Sequence, residues 1–167
     1  MKPTSRGGRL IIVCGLPGSG KTTHAKQLQT GSRAIRLCAD EWLDALSLDI
    51  WDELMRERIE CLQWQLGQQL LNLGLTVIIE WGTWGRSERD ALRLRARELG
   101  VGVELHYLSA QLDVLLDRVQ RRGMEDPPIK REQLLQWTNA FQAPTAVEQK
   151  LFDRAVWLET LAHFNEC

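Results

Sequence analysis

Residues 15–22 read Gly-Leu-Pro-Gly-Ser-Gly-Lys-Thr, a complete G-x-x-x-x-G-K-[ST] phosphate-binding pattern. The run before it, Arg9-Leu10-Ile11-Ile12-Val13-Cys14, reads as an apolar strand, and the stretch from Thr23 to Gln29 reads as helix. Strand, glycine-rich turn and helix start in that order leave few folds open. The turn must point successive backbone N–H groups at one anion, and the helix start adds its own free amides and positive dipole end. Leu16, Pro17, Gly18, Ser19, Gly20, Lys21, Thr22 and Thr23 are therefore expected to hold nucleotide phosphates. Lys21 reaches the outer phosphates, and the Thr22 hydroxyl is the expected Mg²⁺ ligand.

The rest of the chain alternates. Strand patterns fall at 9–14, 34–38, 75–79, 102–108 and 155–158, and helical stretches lie between them. The clearest helix spans about 51–73, where Met55, Ile59, Leu62, Leu66, Leu70 and Leu73 recur at spacings of three and four and predict one apolar stripe. Gly74 closes that helix, and further helices follow at about 86–99 and 111–122, closed by Gly100 and Gly123. Alternation of this kind predicts an α/β fold with a parallel sheet covered on both faces. The two prolines of Gly123-Met124-Glu125-Asp126-Pro127-Pro128 forbid a continuous helix there, so the segment reads as a lid or hinge.

A length of 167 residues suits one domain, taken as 1–167 with a lid at about 118–130. No apolar run approaches the ~20 residues of a membrane span. The N-terminal residues lack the long apolar stretch of a secretory signal, so a soluble cytoplasmic chain with no membrane partner is expected. Net charge is −1, from 21 basic and 22 acidic residues, which speaks against a general nucleic-acid binder. Cys14, Cys38, Cys61 and Cys167 show no metal-binding spacing, and Cys14 and Cys38 read as small core residues. Among the tryptophans, Trp64 and Trp157 read as core.

In open α/β sheets ligands bind beyond the carboxyl ends of the strands. Asp40 and Glu41 follow the second strand pattern, and Glu80 follows the third. Asp40 is placed to face the transferred phosphate and take a proton from an acceptor hydroxyl, or else to cap the next helix, a role Glu41 shares. Glu80 is a candidate to hold a water on Mg²⁺ or to contact the acceptor. Trp42, Trp81 and Trp84 lie near the expected acceptor side and are candidates for a flat wall against a ring or sugar face. Arg86 and Arg89 open the following helix; Arg89 is a candidate partner for an anionic acceptor, although a surface position suits both.

The helix from Gln111 to Arg122 buries Leu112, Leu115, Leu116 and Val119. At about 100° per residue, Arg118 and Arg122 share one flank beside that stripe and Arg121 points into water. Arg118 and Arg122 are thus the pair expected to close over ATP phosphates and neutralise charge on the leaving group.

With these residues in place, the chain resembles the small P-loop kinases of the nucleoside-monophosphate-kinase-like fold. It is most similar to the branch of polynucleotide 5′-kinases, zeta-toxin-like kinases and chloramphenicol phosphotransferase. The resemblance rests on Gly-Leu-Pro-Gly-Ser-Gly-Lys-Thr-Thr, the aspartate after the second strand, and Arg118, Arg122 and Gly123, and it covers roughly residues 9–158. It implies a three-layer αβα fold with a five-stranded parallel sheet of order 2-3-1-4-5. It also implies ATP and Mg²⁺, with Asp40 as general base, Lys21 and Arg122 as transition-state stabilisers, Arg118 as a phosphate or nucleotide contact and Thr22 on the metal.

The chain departs from polynucleotide kinases directly after the base. Asp40 is followed by Glu41-Trp42-Leu43-Asp44, without the arginine that would hold a substrate phosphate. The expected function is therefore ATP-dependent phosphorylation of a hydroxyl on a small molecule such as a sugar, nucleoside or amine-bearing antibiotic. A polynucleotide 5′-hydroxyl kinase and an ATP-binding regulatory switch are the alternatives. A GTPase is disfavoured because no Asn/Thr-Lys-x-Asp motif occurs, and a ring ATPase because the length leaves no room for an extra helical domain.

Overall fold

Strand β1 (Arg9–Cys14) sets the architecture, because Leu10 to Cys14 are each 5% exposed or less. A strand apolar on both faces needs covering layers on both sides, which is the setting of a parallel sheet. The computed structural model describes residues 7–160. Cys167 and the two ends of the expected 1–167 domain lie outside the described residues.

The chain continues through α1 (Lys21–Gly31), β2 (Ala34–Leu37), α2 (Ala39–Ala45), α3 (Glu53–Asn72), β3 (Thr76–Ile79) and α4 (Arg86–Glu98). It ends with β4 (Gly102–Ala110), α5 (Leu112–Arg122), α6 (Arg131–Ala140), α7 (Ala146–Gln149) and β5 (Arg154–Thr160). The strands lie in the order β2-β3-β1-β4-β5 and every neighbouring pair is parallel. This is the α/β P-loop architecture expected from the sequence. The helices α6 and α7 are additions to the sequence reading.

Strand alternation divides the core. Ile11, Val13, Ile78 and Leu108 face α1 and pack with Ala25 and Leu28. Leu10, Ile12, Val77, Ile79, Val103 and Leu105 face the other way, against Ile59 and Leu71 of α3 and Leu92 and Ala96 of α4. A third cluster of Leu115, Val119, Ile129 and Leu134 joins α5 to α6 and takes in Leu16 from the loop after β1.

Two expectations about packing need correction. The buried seam of α3 runs through Ile59, Gln63, Gly67 and Leu71, whereas Leu62, Leu66 and Leu73 are 57%, 37% and 77% exposed. Gly67 explains the rotation. A side chain there would meet Leu37 Cδ1 at 3.2 Å and Val77 Cγ1 at 3.6 Å, so the helix lies closest to the sheet at its bare position rather than along the leucines. Trp157 is 60% exposed, because β5 is an edge strand; its ring leans on Tyr107 and its Nε1 donates to Ser109 Oγ at 2.9 Å.

Arg89 is fully buried. It opens no surface on α4: its Nε and Nη2 donate to both oxygens of Glu148 on α7, at 2.6 and 2.9 Å. The remaining donors reach the carbonyls of Thr83, Trp84 and Gln142. This fork fastens α4 to the β3–α4 connection and to α7. Cutting one partner leaves a buried charge alone, so Arg89→Met is expected to lower the unfolding free energy by about 3–5 kcal/mol. Chemical denaturation measures it, and a loss under about 1 kcal/mol, within surface-mutation range, would contradict the role.

Candidate nucleotide and acceptor site

The central place of β1 brings the loop after it between the carboxyl ends of β3 and β4. Close approach fixes the loop's glycines. Gly18 has φ +83°, and a Cβ there would lie 2.7 Å from Leu115 O on α5. Gly15 has no more room, since a Cβ would lie 2.4 Å from Leu108 O on β4. The loop therefore lies pressed between β4 and α5, with its turn closed by Ser19 N–H on Leu16 O at 3.1 Å.

Lys21 opens α1 and turns back over the loop, donating to Gly15 O at 2.8 Å and Leu16 O at 3.0 Å. Burial holds its pKa below the ordinary lysine value, opposed by the charges of Glu80 and Asp40. Among the described residues neither Lys21 nor Arg118 forms an ion pair. The buried Ser19 Oγ likewise has no hydrogen-bond partner. An ammonium and a guanidinium free of ion pairs around one glycine turn fit a polyphosphate. Thr22 Oγ1 donates to Glu80 Oε1, so a hydroxyl and a carboxylate meet beside the loop. These hard oxygen donors fit Mg²⁺, which takes one or two protein oxygens together with phosphates and water.

A cleft of about 380 Å³ opens here. Gly18, Gly20, Lys21, Thr22, Thr23, Lys26, Arg118 and Arg122 line it, together with Asp40, Glu41, Asp44, Ile50, Met124 and Glu125. Leu16 and Ser19 are buried and offer the cleft no side chain, Leu16 packing instead with α5 and α6.

The helix-cap reading of Asp40 and Glu41 does not hold. The residue before α2 is Cys38, and neither carboxylate caps the helix. Asp40 Oδ1 is bound by Arg56 of α3, whose Nη2 also reaches Ile50 O at 2.9 Å. Glu41 is bound by Arg36 and, at 3.3 Å, by Lys26; the Arg36 hydrogen bond chiefly holds its pKa below the usual carboxylate value. Burial, with Glu80 close by, pushes the Cys38 thiol up to about 11.

Helical phase on α5 is as read from the sequence. Arg118 Nη1 donates to Gly18 O at 3.2 Å and Arg122 lines the cleft, paired with Glu125. Arg121 points away and pairs with Asp117 at 2.9 Å.

The proposed acceptor wall is not formed by the three tryptophans. Glu80 and Trp81 are consecutive, so they face opposite sides of the sheet. Glu80 goes towards α1 and the loop. Trp81 goes under α3, where its Nε1 donates to Gln63 Oε1 at 2.7 Å. Trp84 packs against Trp137, and Trp42 against the main core. Arg89, as described, is spent on Glu148. None of Trp42, Trp81, Trp84 or Arg89 lines the cleft, and Glu80 reaches it only through Thr22.

Sequence reading missed Arg36, Arg56 and Glu60. Arg36 carries a signal in hindsight, as a charged residue inside the short apolar run Ala-Ile-Arg-Leu-Cys. Arg56 has none, because its contact with Asp40 spans 16 residues and a helix start. Glu60 lies one turn beyond Arg56, and burial, with the nearby carboxylates of Glu88 and Asp40, pushes its carboxyl up to about 7.

The sequence model of the AAA domain family matches residues 10–144, and the chain belongs to that family. Among solved structures it is similar to a candidate kinase from Chloroflexus aurantiacus, with a TM-score of 0.75 and 22% identity over 93% of this chain and 89% of that one. It is also similar to Kti12 from Chaetomium thermophilum, solved with ADP-AlF3, with a TM-score of 0.68 and 17% identity over 90% and 88% of the two chains. A gluconokinase from Sinorhizobium meliloti gives a TM-score of 0.60 and 20% identity over 93% and 83%. The shared feature at these identities is the α/β P-loop fold.

The cleft geometry separates the three arginines of α5. Alanine at Arg118 or Arg122 is expected to weaken binding of an ATP analogue at least tenfold, in the range for loss of a charge-assisted hydrogen bond, about 1.5–3 kcal/mol. Alanine at Arg121 should leave binding within twofold, as exposed ion pairs contribute about 0–1 kcal/mol. Calorimetric titration distinguishes the variants, and equal losses at Arg121 and Arg122 would contradict the phase argument.

Proposed function

We propose that the protein is an ATP-dependent kinase that phosphorylates a hydroxyl on a small, neutral or cationic acceptor. The observation that carries this reading is that Lys21 and Arg118, which form no ion pair among the described residues, share one cleft with Asp40. Lys21, Lys26, Arg118 and Arg122 line it together with Asp40, Glu41, Asp44 and Glu125, with Lys26–Glu41 and Arg122–Glu125 in ion pairs. Cations suit a polyphosphate. The lining holds as many carboxylates as cations, four of each, which leaves no surplus of positive charge for a second polyanion and disfavours nucleic acid as acceptor. The similar gluconokinase acts, by its name, on gluconate; the carboxylates of the lining here suit an acceptor without one. A cytoplasmic location goes with this reading.

Lys21, the loop amides and the arginines of α5 hold the phosphates and offset charge that spreads to the leaving oxygen. Thr22 and Glu80 are the residues that would hold Mg²⁺, which supplies further neutralisation of phosphate charge when bound. Asp40 accepts the proton of the acceptor hydroxyl. The acceptor oxygen then bonds to the γ-phosphorus as the bond to ADP breaks, leaving a phosphomonoester and ADP. Arg56 occupies Asp40 Oδ1, and Oδ2 makes no hydrogen bond to a described residue, so one oxygen remains for the hydroxyl.

Asp40→Asn tests the assignment. Asparagine keeps the shape and can orient a hydroxyl, but it cannot take the proton. Turnover is expected to fall about 10²–10⁴-fold, with Mg·ATP affinity by calorimetry close to wild type. Wild-type turnover in that variant, with an acceptor that wild type phosphorylates, would remove Asp40 as the base.

A further inference from the structure

Arg36 is the charged residue of an otherwise apolar β2, and its side chain is only 7% exposed. The β2–β3 register sets it beside Ile78 on the face that α1 covers, next to the end of β3 from which Glu80 projects. Its Nη1 donates to Glu80 Oε2 at 2.5 Å, and its Nη2 donates to Glu41 of α2. Glu80 gives its other oxygen, Oε1, to the Thr22 hydroxyl. The carboxylate is thus gripped from both sides, by α1 through Thr22 and by β2 through Arg36. Its side chain is 3% exposed, and a buried carboxylate without a cation is costly.

The choice of arginine follows from this geometry. One planar fork spans two carboxylates on two different elements, which a lysine ammonium on a flexible stem does less well. The guanidinium accepts a cost for the position, since its Nε is buried with no hydrogen-bond partner. It points no donor at the cleft: Arg36 is absent from the cleft lining, whereas its two partners connect to that lining, Glu41 directly and Glu80 through Thr22.

We propose that Arg36 is a positioning residue for the metal side of the site. It holds Glu80 turned so that Oε1 meets Thr22, and it acts on Mg²⁺ affinity without touching nucleotide, metal or acceptor. This rests on the nucleotide-binding part of the proposed function and not on the acceptor. A purely structural ion pair would have a different signature: lower stability with unaltered Mg²⁺ affinity.

The experiment titrates a non-hydrolysable ATP analogue into the full chain by calorimetry, with and without Mg²⁺, for wild type, Arg36→Met, Arg36→Lys, Glu80→Gln and the Arg36→Met/Glu80→Gln double variant. Arg36→Met is expected to bind the metal-free analogue as wild type does and to lose about 10–100-fold in Mg²⁺ affinity, the range for removing a group that orients a metal ligand. Arg36→Lys should fall between the two. The double variant should be no worse than Glu80→Gln alone, because the two residues act as one unit. Additive losses in the double variant, or wild-type Mg²⁺ affinity in Arg36→Met, would overturn the inference. Should Arg36→Met fail to fold, Arg36→Lys decides: reduced Mg²⁺ affinity supports the proposal and wild-type affinity overturns it. A wild type whose analogue binding ignores Mg²⁺ would instead remove the nucleotide reading beneath it, a result distinguishable from failure of Arg36 alone.

Discussion

The hydrogen bond from the Thr22 hydroxyl to Glu80 joins the two parts of the chain on which the site depends. Thr22 belongs to the helix that starts at the phosphate-binding loop, and Glu80 ends the strand beside β1. A bond between them fixes how far α1 stands from the end of β3, and so where the loop presents its amides. Arg36 secures the far oxygen of Glu80 and carries the constraint to β2 and α2. Asp40 lies in the first turn of that same α2. The phosphate loop and the candidate base are therefore linked through Thr22, Glu80, Arg36 and Glu41 rather than held independently. Phosphoryl transfer asks mainly for positioning and charge neutralisation, so a rigid link of this kind is what the chemistry requires.

Charge is arranged at the same edge with equal economy. Cations come from α1 and α5, and carboxylates come from α2 and the segment after α5. The segment that follows Gly123 is held at two consecutive residues. Glu125 pairs with Arg122, and Trp51 Nε1 donates to Asp126 O at 3.0 Å. Trp51 precedes α3, the helix whose Arg56 holds Asp40. Trp51 thus joins the segment after α5 to the start of α3. Trp51 and Trp84 both pack on Trp137 of α6, tilted and edge-on respectively, and this cluster joins the third core cluster rather than a wall of the pocket.

Much of this was legible in the residues. The loop pattern and the alternation of strand and helix gave the fold class, and the resemblance they support gave the strand order. Helical phase separated Arg118 and Arg122 from Arg121, because α5 has a clean apolar stripe to measure from. The reading failed where periodicity was ambiguous or where contacts are long-range. On α3 apolar residues occupy more than one face, and only the approach of Gly67 to Leu37 and Val77 selects the buried one. The acceptor tryptophans were misplaced because proximity in sequence stood in for direction. Strict alternation after Ile79 already sends Glu80 and Trp81 to opposite faces. Arg89 looked like a surface residue of a charged helix start, and its buried partner Glu148 lies 59 residues away. Arg56 belongs to the same class: nothing local marks a side chain whose partner is chosen by tertiary packing.

The central claim is that the cleft passes a phosphoryl group to a hydroxyl instead of to water. Incubation with γ-labelled ATP, Mg²⁺ and a panel of neutral and amine-bearing polyols and nucleosides tests it most directly, with the label followed by chromatography. The account predicts label in a phosphomonoester of one acceptor class, formed at the rate at which ADP appears. Release of the label only as inorganic phosphate, at a rate indifferent to every acceptor, would contradict it and mark the protein as a nucleotide hydrolase or switch.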